Sequence, residues 1–313
     1  MGEIDLFDGH CDTLSACCQR GEGFWENSGQ LDLKRTRGFG RYTQFFAVFG
    51  DTHELTISPD RHFRAEYALF QRELEENSAY IVQCRTGGQI EAAVRAGRTA
   101  AILSVEGAEL LGCELGALEE AHRLGVRAIN LTWNHANLLS GSIAEEPTRG
   151  LSPRGKAFVR RMEALGILVD VSHLSEPGFW DVAAMARKPF FASHSNARTV
   201  FPAQRNLTDA QFTAIIEHQG VAGLNMFRDF LGDRPGLDTI IAHLEHFLAL
   251  GGEKNVCIGG DWDGIPVPPD GIVGVWDMEK LYERLLQRNY HEALLRDVFY
   301  ENLMRVVNEV CTM

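Results

Sequence analysis

"GILVDVSHLSE", residues 166–176, runs from an apolar stretch directly into Asp170, Ser172 and His173. A run this apolar, opened by a glycine, reads as a strand buried on both faces, the kind found in parallel sheets covered by helices. One buried strand that ends in an imidazole says little, because solvated histidines at strand ends are common. The ending acquires meaning when other strands share it.

Seven further stretches have the same character: IDLFDGH (4–10), TQFFAVF (43–49), TAAILSVE (99–106), VRAINLTW (126–133), PFFASH (189–194), GVAGLNMF (220–227) and NVCIGGD (255–261). Amphipathic segments lie between them, at 59–77, 152–166 and 207–220 among others. Ser152-Pro153 and Thr208 supply helix starts, and Gly166 and Gly220 supply stops. YIVQC (80–84) is a candidate short strand outside the eight. Eight strands alternating with helices, with no fixed-period repeat and no break in composition, predict one α/β domain over residues 1–313, a (β/α)8 TIM barrel. The stretches 134–150 and 263–274 are long enough to be binding loops over its mouth.

In such a barrel the C-terminal strand ends meet at one face, where the chemistry lies. The first strand runs into His10 and Asp12, two apart and on the same side. Glu106, His173, His194 and Asp261 end the third, fifth, sixth and eighth. Crowded carboxylates repel unless cations are present, and neutral imidazoles are good ligands for divalent transition metals. Six such groups exceed what one tetrahedral ion with an open position needs. Two metals that share a carboxylate, with a water between them as nucleophile, are expected. His243 and His246 match neither HExxH nor HxxEH, and they read as ordinary helix residues. Alternation points Cys11 away from its neighbours' side.

The chain has 30 Lys plus Arg against 43 Asp plus Glu, a formal charge of −13. That balance argues against nucleic acid or an anionic membrane as partner. No apolar run approaches a membrane span, residues 1–14 lack a secretory pattern, and Leu6 breaks the myristoylation pattern. Seven cysteines without CxxC spacing predict free thiols and a cytoplasmic location.

An ordered set of motifs is similar to the membrane (renal) dipeptidases, peptidase family M19 of the amidohydrolase superfamily. The matching stretches are DGHCDTL, SVEGAELL, GVRAINLTWN, GILVDVSHLSE, PFFASHSNAR, QRNLTD, GVAGLNMF, IGGDWDG and ENLMRVVNEV, in order from residue 8 to residue 310. The resemblance implies that His10 and Asp12 hold one zinc ion, that His173 and His194 hold the other, and that Glu106 bridges them. It also implies that Asp261 faces the reacting water and that Arg205 binds the free carboxylate of a dipeptide. Trp133 stands where animal members have the histidine of Leu-Thr-His, and His135 is the candidate to supply that imidazole instead. Animal members also carry a secretory signal and a lipid anchor, so a soluble bacterial-type member is expected.

The resulting expectation is a zinc-dependent dipeptidase acting on L-Xaa-L-Xaa or L-Xaa-D-Xaa, with Asp261 and Glu106 as the catalytic carboxylates and a homodimer as the assembly. The alternatives are another amidohydrolase activity (on lactams, lactones or N-acyl amino acids) and a non-catalytic metal-binding barrel. A retained Asp261 argues against the last, since a binding module needs no proton shuttle.

Overall fold

Eight parallel strands close on themselves around an apolar interior in the computed structural model, which describes residues 4–312. Residues 1–3 and 313, including the N-terminal Met-Gly, lie outside the described residues. The barrel runs β1 (Leu6–Cys11), β2 (Tyr42–Phe49), β4 (Thr99–Glu106), β5 (Val126–Asn130), β6 (Leu168–Asp170), β7 (Phe191–Ala192), β8 (Val221–Leu224) and β9 (Val256–Ile258), and β9 pairs back onto β1. The short β3 (Ile81–Gln83) stands outside this ring, as its sequence suggested. It pairs with the first residues of β4, along the edge that β5 takes further up.

Alternation sorts the strand side chains into two layers. Phe7, Phe45, Ile102, Ala128, Leu168, Phe191, Val221 and Cys257 face inward, while Leu6, Phe46, Leu103, Ile129 and Val169 face the surrounding helices. The Phe45 ring reaches both Phe7 and Phe191 at 5.8 Å, spanning the interior. The helix Asn302–Val310 and the turn before it complete the inner layer with Tyr300, Leu303, Met304 and Val307. Tyr300 meets Thr43 at the start of β2, and Asn302 donates to the Val256 carbonyl at the start of β9. The bottom of the barrel is therefore plugged. Chemistry is left to the top.

Local signals explain several helix boundaries. Ser152 and Thr208 cap Pro153–Leu165 and Asp209–Glu217, Thr208 through a capping box with Gln211. Gly166 ends its helix with a φ of 71°. Gly220 does not. Gln219 takes the left-handed position (φ 56°), and Gly220 is small for another reason, since a Cβ there would run into the Phe190 carbonyl.

One irregularity in β1 decides where its polar side chains point. Asp8 pairs with Gln44, but the next partners are Cys11 and Phe46, so Gly9 and His10 together oppose Phe45. This is a β-bulge. It puts Cys11 in the outer layer although Phe7, four residues earlier, faces inward. His10 is thereby turned to the mouth.

Candidate metal centre and active site

The regular ladder stops short of the site. The strands expected to reach residues 173, 194 and 261 end at Asp170, Ala192 and Ile258. His173, His194 and Asp261 therefore sit on the first residues of the loops. The reason is visible in the backbone, where His173 (φ 68°) and Asp261 (φ 61°) take left-handed conformations that no ladder accommodates. Such uncommon conformations gather at functional sites.

All six groups nevertheless converge. Glu106 is central: its Oε2 lies 3.5 Å from His10 Nε2, and its Oε1 lies 3.0 Å from His173 Nε2 and 3.5 Å from His194 Nε2. His10 Nε2 also lies 3.3 Å from Asp12 Oδ2 and 3.9 Å from Asp261 Oδ1. Buried carboxylates hold the turns beneath. Asp8 accepts from the His10 and Gly260 amides and from the Trp262 indole, and Asp170 accepts from the Ser172 and Ser193 amides. Asn134 Oδ1 accepts from His173 Nδ1 at 2.8 Å, which leaves the Nε2 lone pair facing the centre. His194 Nδ1 meets Ser193 Oγ at 2.6 Å.

These donors fit divalent cations. His10 Nε2 and Asp12 Oδ1 are buried without a hydrogen-bond partner, and the Nε2 atoms of His173 and His194 face each other at 2.9 Å. Burial and Glu106 push Asp12 well above the usual carboxylate range. Burial also acts to raise Glu106, but His10 and His173 outweigh it and hold that carboxyl well below its ordinary value. Burial and the Arg205 charge pull His173 down to about 4, keeping it a neutral ligand. Each oxygen of Glu106 faces a different set of imidazoles, the arrangement expected of a bridging carboxylate.

Asp261 and Arg205 complete the bowl. Burial raises Asp261 to about 6, and Asn225 Nδ2 donates to its Oδ2 at 3.0 Å. Arg205 donates to Ser195 Oγ at 2.9 Å and to the His194 carbonyl at 3.3 Å, while its Nε is buried without a partner. Burial pulls it down to about 10, within the charged range at neutral pH. Both border a cavity of about 160 Å³, together with Asp12, Glu106, His173, Asn134, Gly264 and the apolar Phe49, Trp133, Phe227, Phe230 and Ile265.

His135 is placed differently from the others. Its Nε2 lies 3.1 Å from Asp51 and its Nδ1 3.4 Å from Glu145, and its ring stacks on His53 at 3.6 Å. Trp133 and Asn134 line the cavity, and His135 does not. His243 bonds the Ala197 amide and the Leu231 carbonyl, a structural role. Sequence reasoning passed over Asn134, Ser193 and Asn225. Each lies in or beside a quoted motif, yet a lone amide or hydroxyl has too many ordinary uses to stand out.

A (β/α)8 barrel with histidines and carboxylates gathered at its C-terminal mouth defines a metal-dependent hydrolase. The chain belongs to the membrane dipeptidase family, peptidase family M19, whose sequence profile matches residues 1–313. It is a metal-dependent dipeptidase. A metallopeptidase from Rhodobacter sphaeroides, solved with a phosphinate mimic of the dipeptide L-Ala-D-Ala, is 29% identical with a TM-score of 0.89 over 98% of this chain and 99% of its own. The structure of dipeptidase AC, also of family M19, is 30% identical with a TM-score of 0.90, covering 99% of both chains. An uncharacterized Klebsiella pneumoniae protein from the pqqA 5′ region is 32% identical over 258 residues, 78% of this chain and 94% of that protein. No helix among the described residues is long and apolar enough to cross a membrane.

Proposed function

We propose that the chain hydrolyses dipeptides with a free C-terminal carboxylate, of L-Xaa-L-Xaa or L-Xaa-D-Xaa type, at a centre for two zinc ions. His10 and Asp12 would hold one ion and His173 and His194 the other, with Glu106 shared between them. When bound, such ions lower the pKa of the attacking water and polarise the scissile carbonyl. Asp261 takes the proton from that water and passes it to the leaving amine. Asn225 fixes one of its oxygens, so that the other is free to work.

The observation that carries the substrate reading is Arg205. A buried guanidinium with an unpartnered Nε, sharing a small cavity with Glu106 and Asp261, is a ready receptor for a carboxylate one residue from the scissile bond. Its reach limits the site to short substrates. The mimic bound by the Rhodobacter sphaeroides relative supports the same class. Seven free cysteines suit a reducing compartment, and we place the enzyme in the cytoplasm. The test is a matched panel of dipeptides, lactams, lactones and N-acyl amino acids on zinc-loaded protein, with metal analysis alongside. About two ions per chain and turnover confined to the dipeptides are expected. Turnover of lactams or lactones alone would overturn the reading.

A further inference from the structure

Resting on the dipeptidase reading, we infer that both side-chain positions of the substrate are restricted to neutral, apolar residues, with Phe49 and Trp133 receiving the N-terminal one and Phe227 and Phe230 the C-terminal one. The cavity has two aromatic walls. Phe49, at the end of β2, meets Trp133, just past β5, edge to face at 4.9 Å, and Trp133 lies 6.3 Å from His173. Phe227 and Phe230, in the segment after β8, meet edge to face at 4.8 Å, and the Arg205 guanidinium lies 5.8 Å from the Phe230 ring.

Arg205 fixes the direction of the substrate. With the carboxylate on Arg205 and the scissile carbonyl at Glu106, the C-terminal side chain falls against Phe227 and Phe230. The N-terminal one points across the centre to Phe49 and Trp133. Neither wall holds a charge for a charged side chain to pair with. Among charged side chains of the neighbouring loops, Arg228 pairs with Asp270, Arg198 with Glu176 and Arg149 with Glu146, and Asp51 and Glu145 both face the His135 ring. A lysine or glutamate side chain entering either subsite would lose water without gaining a partner, and burying an unpaired charge is strongly unfavourable. The centre's own charges do not compensate, because the donor set and the proton-transfer group already use them.

The experiment measures kcat/KM on zinc-loaded holoenzyme for size-matched pairs: norleucine against lysine and glutamine against glutamate, at each position beside a constant alanine. The charged member of each pair is expected to be at least ~100-fold poorer, the scale set by an unpaired buried group. Charged and neutral members within about threefold of each other at either position would overturn the inference there. A second arm uses Trp133→Glu, which should raise the lysine-to-norleucine ratio at the N-terminal position and leave the C-terminal ratio in place. A shift at the C-terminal position instead would refute the assignment of the walls. If no dipeptide in the panel were cleaved, Ala-Ala included, the dipeptidase reading itself would fail, an outcome separate from loss of charge discrimination.

Discussion

A carboxylate crowded by other carboxylates must find either a proton or a cation. Asp12, Glu106 and Asp261 all border the same bowl, and in the proposed centre bound metals would resolve the conflict for the first two. On that proposal Asp261 is the one left to handle protons. Asp261→Asn should therefore retain its metals yet lose on the order of 10²–10⁴-fold in kcat, measured by metal analysis and initial rates on one preparation. A variant with near-normal turnover would remove Asp261 from the mechanism. Arg205 belongs to the same scale. Arg205→Ala should weaken a free-acid dipeptide by roughly 2–5 kcal/mol, because a desolvated charge loses its partner. A C-terminally amidated dipeptide should be poor with the wild type and nearly indifferent to the change. Arg205→Lys should restore only part, since an ammonium lacks the planar fork. Equal losses on acid and amide would make Arg205 structural. The histidines and acids stood out because their recurrence at strand ends is improbable by chance, whereas Arg205 came only from the family resemblance. Asn134 and Asn225 did not stand out, since their contacts with His173 and Asp261 appear only when the chain folds.

At the scale of elements, the loop after β9 depends on a clamp. Asp263, also left-handed (φ 66°), accepts from Thr13 at 2.7 Å, from Arg20 at 3.0 Å and from the Gln30 amide at 2.9 Å. Thr13 directly follows Asp12, so the clamp sets Asp261 against the β1 ligands. Gly264 must stay small beside it, because a Cβ would strike the Asp12 carboxylate. Asp263→Ala should cost about 1–3 kcal/mol of stability, the penalty for buried donors left unsatisfied, and should lower kcat more than it raises KM. Urea titration and steady-state kinetics check the two halves, and a stable variant with unchanged kcat would deny the clamp any part in positioning Asp261. From the sequence, Asp263-Gly264 reads only as a turn, because local pattern reports a turn and not what it is fastened to. Strand number and order were legible from apolar runs separated by amphipathic ones. Strand ends were not, and neither was the β1 bulge, since both are set by partners distant in the chain.

For the whole molecule, the plugged bottom carries stability and the open top carries function. Leu303 is fully buried in the inner layer, and Leu303→Ala should cost about 2–5 kcal/mol while leaving kcat per folded molecule unchanged. Removing metal should do the converse, abolishing turnover while lowering Tm by an amount that saturating zinc restores. Scanning calorimetry with and without chelator separates the two, and a chelated protein with unchanged Tm and activity would argue against metals at Glu106. The barrel also has a seam, where β9 returns to β1, and the active centre straddles it: Thr13 and its partner Asp263 are 250 residues apart. During synthesis on the ribosome, His10 and Asp12 emerge early, and Asp261, the proposed proton-transfer carboxylate, joins them only when β9 docks. On that assignment a nascent or half-folded chain would lack peptidase activity. Closing the barrel would then be the act that assembles the site.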